Sequence, residues 1–199
     1  MPNITPLPST TFKTMPWANG QGSTTEIFKQ LFPTTDRFLW RVSLADVPDS
    51  GRFSVFDGYE RVIAVATGAG MSLSVAGVQP VTLRVGDDAF GFSGAAATAC
   101  ELLDGAIRDF NLIFDPEFVR GDVVVLSDQG RGEFKSAADQ MVLVYVFEGS
   151  AEVAGDVVEA GEAVMIEDAA VKVELHAGLA FVVSVVVVRT GAVLGSGVV

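Results

Sequence analysis

Two stretches of this chain run through the same order of short apolar segments and glycine turns, which leaves room for few folds other than one unit used twice. From Arg61 to Phe92, and again from Met141 to Ile166, the order is an apolar strand, a glycine, a short strand, an Ala-Gly or Gly-Asp turn, a Val-rich strand, glycine plus an acid, and a further strand. The landmarks pair as Gly68 with Gly149, Gly77 with Gly155, Gly86-Asp87 with Gly161-Glu162, and Gly105 with Gly178. No segment carries a long helical period. The alternation is that of strands in sandwiches and barrels, with turn residues at short intervals.

The hairpin order with a Gly-acid turn resembles the cupin double-stranded β-helix. The expected fold is therefore all-β: a bicupin, with two tandem cupin-like barrels in one compact chain. Residues 1–114 are assigned to the first barrel with its N-terminal motif segment, and 115–199 to a linker and a second, shorter barrel. Strands are expected at Thr24 to Leu31, Phe38 to Asp46, Phe53 to Phe56, Val62 to Thr67 and Ile107 to Phe114. In the second half they are expected at Met141 to Glu148, Ala151 to Ala154, Val171 to His176 and Ala180 to Val188. Asp115 to Asp139, rich in Asp, Gly, Arg and Ser, reads as a connector with one short strand, Val123 to Leu126.

Composition narrows the function. With 25 acidic and 13 basic side chains the net charge is −12, and no Lys/Arg cluster offsets it, so nucleic acid is not an expected partner. A small anionic ligand remains possible where an enclosed arginine supplies local positive charge. The longest uncharged apolar run, Ala177 to Val188, falls short of the roughly 20 residues that span a bilayer, and the N-terminus has no secretory signal pattern. No membrane association is expected. One cysteine, Cys100, and no zinc-like spacing fit a reducing, cytoplasmic setting.

A metal-dependent cupin needs about three imidazoles and a carboxylate, and His176 is the sole histidine. No metal and no cofactor are expected. Cys100 has no base near it in sequence, no G-x-S-x-G elbow or P-loop is present, and no residue is assigned a catalytic role.

The unusual polar residues gather in the first third. PWANGQGSTTEI brings Trp17, Asn19 and Glu26 together around a turn-rich entrance to a strand. In FLWRVSLADV, Arg41 and Ser43 share one strand face. GRFSVFDGYER places Ser54, Phe56 and Arg61 around a turn at Asp57-Gly58. Further on, DFN sets Asp109 and Asn111 on one face and Phe110 on the other. An arginine in a half-buried strand must be compensated, either by an internal acid such as Glu26 or by the carboxylate of a ligand. For Arg41 both readings stand; Arg61 is read as facing a ligand without a protein anion beside it.

Taken in order, PWANGQGSTTEI (Pro16 to Ile27), WRVS (Trp40 to Ser43), GRFSVFDGYER (Gly51 to Arg61) and DFN (Asp109 to Asn111) resemble the motifs of the HutD/Ves family. The resemblance covers the first barrel closely and the second in pattern only. Ala18 stands where that family usually has lysine, Gln21 where it has glycine, and no arginine follows Asn111 at the usual place. The resemblance implies a metal-free bicupin tied to bacterial histidine utilisation, tempering induction of the pathway by sensing an intermediate. It also implies a pocket of Trp17, Asn19, Glu26, Arg41, Ser43, Ser54, Phe56 and Arg61, with Asn111 possible.

The leading expectation is a non-enzymatic small-carboxylate-binding regulator of histidine utilisation, in which Arg61 clamps urocanate or formylglutamate and Trp17 and Phe56 stack on it. One alternative is a metal-free isomerase or hydrolase with Glu26 as general base. Another is an interaction module, in which the Val-rich C-terminal end supplies the interface of a homodimer.

Overall fold

A computed structural model describes residues 3–18, 20–33, 35–135, 140–167 and 169–188. The first half has a larger and a smaller sheet, the second a single continuous one, and the two halves repeat one pairing scheme. In the first half, β4 (Phe38–Val47), β11 (Ile107–Phe114), β6 (Glu60–Thr67) and β9 (Phe90–Ser93) lie side by side in that order. β2 (Lys13–Pro16) and β3 (Ser23–Leu31) extend this sheet beyond β4. The smaller sheet runs β5 (Gly51–Arg52), β10 (Thr98–Leu102), β7 (Met71–Val75), β8 (Val81–Leu83).

In the second half the order β12 (Val119–Ser127), β17 (Val171–Val187), β14 (Gln140–Val153), β16 (Ala163–Glu167) repeats the larger sheet. β13 (Arg131–Phe134) on β17 and β15 (Asp156–Glu159) on β14 repeat the smaller one. This is the all-β bicupin architecture.

Met141 to Glu148 and Ala151 to Ala154, expected as two strands, fall in one strand to within a residue at its end, and so do Val171 to His176 and Ala180 to Val188. β14 and β17 each run unbroken through the one sheet of the second half, whereas the first half divides the same path into β6 with β7 and β10 with β11. Gly149 and Gly178 explain the continuity. They face each other in the ladder between two register shifts, both at positive φ, 80° and 94°, so the paired strands bend together and the ladder resumes beyond the bend.

The expected connector contains two strands, β12 and β13, and β12 pairs with β17 along nine residues from Val119 to Ser127. It is an integral strand of the sheet. The N-terminal strand β1 (Asn3–Leu7) pairs with β16 of the second half, although sequence order groups it with the first. β1 and β2 escape a strand reading because both carry proline, which a sheet tolerates at its edge; both are edge strands here. The expected strand from Phe53 to Phe56 is irregular backbone, and only Gly51–Arg52 joins the ladder. Phe53 N and Phe56 N are tied singly to Thr98 O and Gly94 O instead.

Strand alternation divides the core. Phe110, Leu112 and Phe114 of β11 meet Leu143, Tyr145, Phe181 and Val183 in a layer shared by the two halves. The interior of the second half is filled with aliphatic side chains, among them Val142, Val144, Val146, Leu175 and Val182. The first half has a corresponding apolar cluster around Ile63, Val65, Met71 and Leu73. It differs in that the inward faces of β4, β6 and β11 also carry Arg41, Ser43, Arg61, Asp109 and Asn111, which line a cavity.

Among the described residues no helix is long and apolar enough to cross a membrane, and no group of three or more His, Cys, Asp or Glu side chains could hold a metal ion. The C-terminal stretch read as a subunit interface lies outside the described residues from position 189 onward.

Candidate functional site

The cavity of the first half, about 360 Å³, is walled by three neighbouring strands and by the irregular segment after β5. Period-two geometry dictates who faces it: Arg41, Ser43, Ala45 and Val47 from β4, Arg61 from β6, and Asp109, Asn111 and Ile113 from β11. Trp17 closes one side, its indole Nε1 donating to Thr24 Oγ1 at 2.9 Å. Arg52 and the exposed Ser54 stand at the mouth.

Arg61 is the buried charge at the centre of the site. It is 6% exposed, and its guanidinium carbon lies 5.1 Å from the ring centroids of Phe53 and Phe92 and 5.5 Å from that of Phe56. Three electron-rich ring faces around one cation partly replace the water it has lost. Arg61 Nη2 donates to Asn111 Oδ1 at 2.6 Å, and Asn111 Nδ2 donates to Asp109 Oδ1. Arg41 shares Phe56, at 5.4 Å, and also lies over Phe38 at 5.3 Å. Neither Arg41 Nε nor Arg61 Nε, both closed off from solvent, has a hydrogen-bond partner among the described residues.

Burial dominates the electrostatics. It pulls Arg61 down to about 10, against the nearby Asp109, which favours the cation, and with Arg41, which disfavours it. Arg61 therefore remains charged at neutral pH. Arg41 is lowered by burial too, opposed by Glu26. Burial pushes Asp109 up to about 7, although Arg61 and the Asn111 hydrogen bond pull the other way. Cys100, buried behind the cavity against Met71, is pushed up to about 12 by burial and by Asp109, and stays a neutral thiol. His176 is on the exposed surface of the second half, 3.4 Å from Ser150 Oγ.

Of the residues expected at the site, Trp17, Arg41, Ser43, Ser54, Phe56, Arg61 and Asn111 line this one cavity. Asn19 lies outside the described residues. Glu26 is buried but does not line the cavity, and its Oε2 is 3.1 Å from Lys29 Nζ. A bulge between Glu26 and Phe28 accounts for that ion pair, because it reverses the strand's alternation and brings a residue three positions on to the same face. Of the two readings of Arg41, the internal-acid one holds in part: Glu26 pairs directly with Lys29 and favours the Arg41 cation without a direct ion pair among the described residues.

Arg61 does have an acid nearby, contrary to expectation, and reaches it only through the neutral amide of Asn111. Asp109 and Arg52 were not expected at the site. The alternation of DFN already marks Asp109 as facing the same way as Asn111; nothing in the sequence marks Arg52.

The sequence model of the HutD family matches residues 9–184. The chain belongs to the HutD family. Its structure superposes on that of HutD from Pseudomonas fluorescens SBW25 with a TM-score of 0.80, at 31% identity, over 94% of this chain and 100% of that one. It is 51% identical over 106 residues to an uncharacterized 21.2 kDa protein in the hutC 3' region of Pseudomonas putida, a match that spans 53% of this chain and 55% of that protein. It is also 32% identical over 135 residues to protein Ves of Cronobacter sakazakii, covering 67% of this chain and 71% of that protein. The HutD match includes every strand that walls the cavity.

Proposed function

We propose that this HutD-family protein is a non-enzymatic receptor for a small carboxylic acid and that it serves the regulation of histidine utilisation. The observation that carries the reading is the guanidinium of Arg61: buried, charged, and directed into a cavity where three arginines stand against the single carboxyl of Asp109. A buried cation with an unused N–H donor is costly until an anion reaches it, and guanidinium geometry suits a carboxylate. At about 360 Å³ the cavity sits at the small end of ligand sites, roughly 300–1,000 Å³, which suits a metabolite.

The location of the Pseudomonas putida relative in the hutC 3' region supports a role beside the histidine-degrading genes. Urocanate and formylglutamate are therefore the acids to try first. Phe56 and Trp17 supply the apolar walls for a planar or short aliphatic body.

Calorimetry with both acids tests this. Binding is expected, and Arg61→Gln is expected to weaken it at least about 30-fold, the low end of what truncating one side of a buried charge pair costs. No heat from either acid at millimolar concentration, or undiminished affinity in the variant, overturns the reading.

A further inference from the structure

Asp109 is the carboxyl most completely enclosed by the cavity wall, 1% exposed, and the receptor reading gives it no task. On its own strand it accepts from Asn111 Nδ2, whose Oδ1 accepts from Arg61 on β6. The other charged or titratable groups around it come from every neighbouring strand. Arg41 and Asp46 lie on β4, Cys100 on β10, and Arg108 precedes it on β11, held 2.8 Å from Asp46 by its Nε. Arg61 is the one that most favours an ionised Asp109, and Asp46 opposes it.

In the ligand-free protein Asp109 is thus the counter-charge of Arg61, one amide removed. A ligand carboxylate on Arg61 brings a second anion to the same cation, inside a wall with little water to separate them. Two carboxylates so placed do not both stay ionised; one takes a proton.

We propose that the cavity takes up its carboxylate together with a proton from solvent, and that Asp109 holds this proton while the ligand is bound. The proposal rests on the receptor reading. The proton goes to Asp109 Oδ2, because Oδ1 already accepts from Asn111. Asp109 then offers an O–H donor to the ligand in place of a repelling charge. Nothing is oxidised or cleaved, and release of the acid returns the proton.

The ligand-free midpoint near 7 sets the pH at which this shows. Below it Asp109 is already protonated and affinity is highest and flat. Above it each bound anion must bring its proton, and affinity falls up to about tenfold per pH unit until the midpoint of the occupied protein is passed.

The test is calorimetry of the full chain with urocanate and formylglutamate at pH 8, in phosphate and in Tris, whose different ionisation heats count the protons taken up. Uptake of at least about half a proton per site is expected, and Asp109→Asn is expected to abolish it and to flatten affinity between pH 6 and 9. The wild-type proton count decides the matter if that variant does not fold. Binding without proton uptake overturns the coupling and leaves the receptor standing. No binding of either acid overturns the receptor and the coupling with it.

Discussion

Phe110 lies flat against Phe181, their ring centroids 4.3 Å apart and their planes 6° from parallel. One ring comes from the central strand of each half, so this contact sits in the layer that joins them. It also fixes the strand whose opposite face presents Asp109 and Asn111 to the cavity. Phe110→Ala is expected to cost about 3–5 kcal/mol of stability, the usual price of emptying a fully buried aromatic site. Urea denaturation measures it. A loss below about 1 kcal/mol would show that the layer closes over the gap and that the stack does not hold β11 in place.

Glu26 separates the receptor reading from the enzymatic one. Its carboxylate is engaged by Lys29 and does not line the cavity, so Glu26→Gln is expected to leave the affinity for carboxylates within about threefold, less than 1 kcal/mol. Stability is expected to fall by about 1 kcal/mol, as one half of a partly exposed pair is lost. Calorimetry and denaturation of the same preparation read both. A loss of affinity as large as that of Arg61→Gln would return Glu26 to the binding machinery.

The paired glycines of the second half give a sharper structural prediction. A Cβ on Gly149 would fall inside the van der Waals envelope of the Ala177 carbonyl oxygen, and one on Gly178 inside that of Glu148. Both obstacles are backbone, and both positions have positive φ. Gly149→Ala is therefore expected to cost more than the roughly 1 kcal/mol of an ordinary left-handed alanine; about 3 kcal/mol or more is expected, with the bent ladder disrupted. Gly155→Ala is the control, since it also has positive φ but nothing within contact distance of a new Cβ. Equal thermal shifts in the two variants would remove the steric argument.

What could be read from the sequence follows period two and stops where that period breaks. Arg41 with Ser43, and Asp109 with Asn111, are placed on shared faces by simple alternation, and the structure puts all four on the cavity wall. The same alternation cannot foresee the bulge beside Glu26, because a bulge is a property of the pair of strands; the Lys29 partner was illegible for that reason. The segment from Phe53 to Phe56 looks like a strand by its spacing. Its two rings instead both turn toward Arg61, and a charge drawn from elsewhere in the chain overrides local pattern. The glycine landmarks located the bends correctly, yet whether a bend interrupts a strand depends on a second glycine directly across the ladder. Gly149 has one in Gly178.

Asp109 makes stability depend on pH in a direction opposite to that of most carboxylates. Its midpoint rises from the ordinary 3.8 to about 7 on folding, so the native protein holds the proton more tightly than the unfolded chain. The stabilising contribution is complete below about pH 4, is lost progressively as pH rises to about 7, and does not change further above that. Over this window it amounts to at most about 4 kcal/mol. Asp109→Asn cannot titrate, while the remaining carboxylates contribute alike to both proteins and cancel in the comparison. The difference in Tm, wild type minus variant, is therefore expected to fall steadily between pH 4 and 7 and to level off beyond it. A difference that stays flat, or that rises with pH, would mean that Arg61 holds Asp109 as an ordinary ionised carboxylate, and the site would then be one arginine pair neutralised by its own protein.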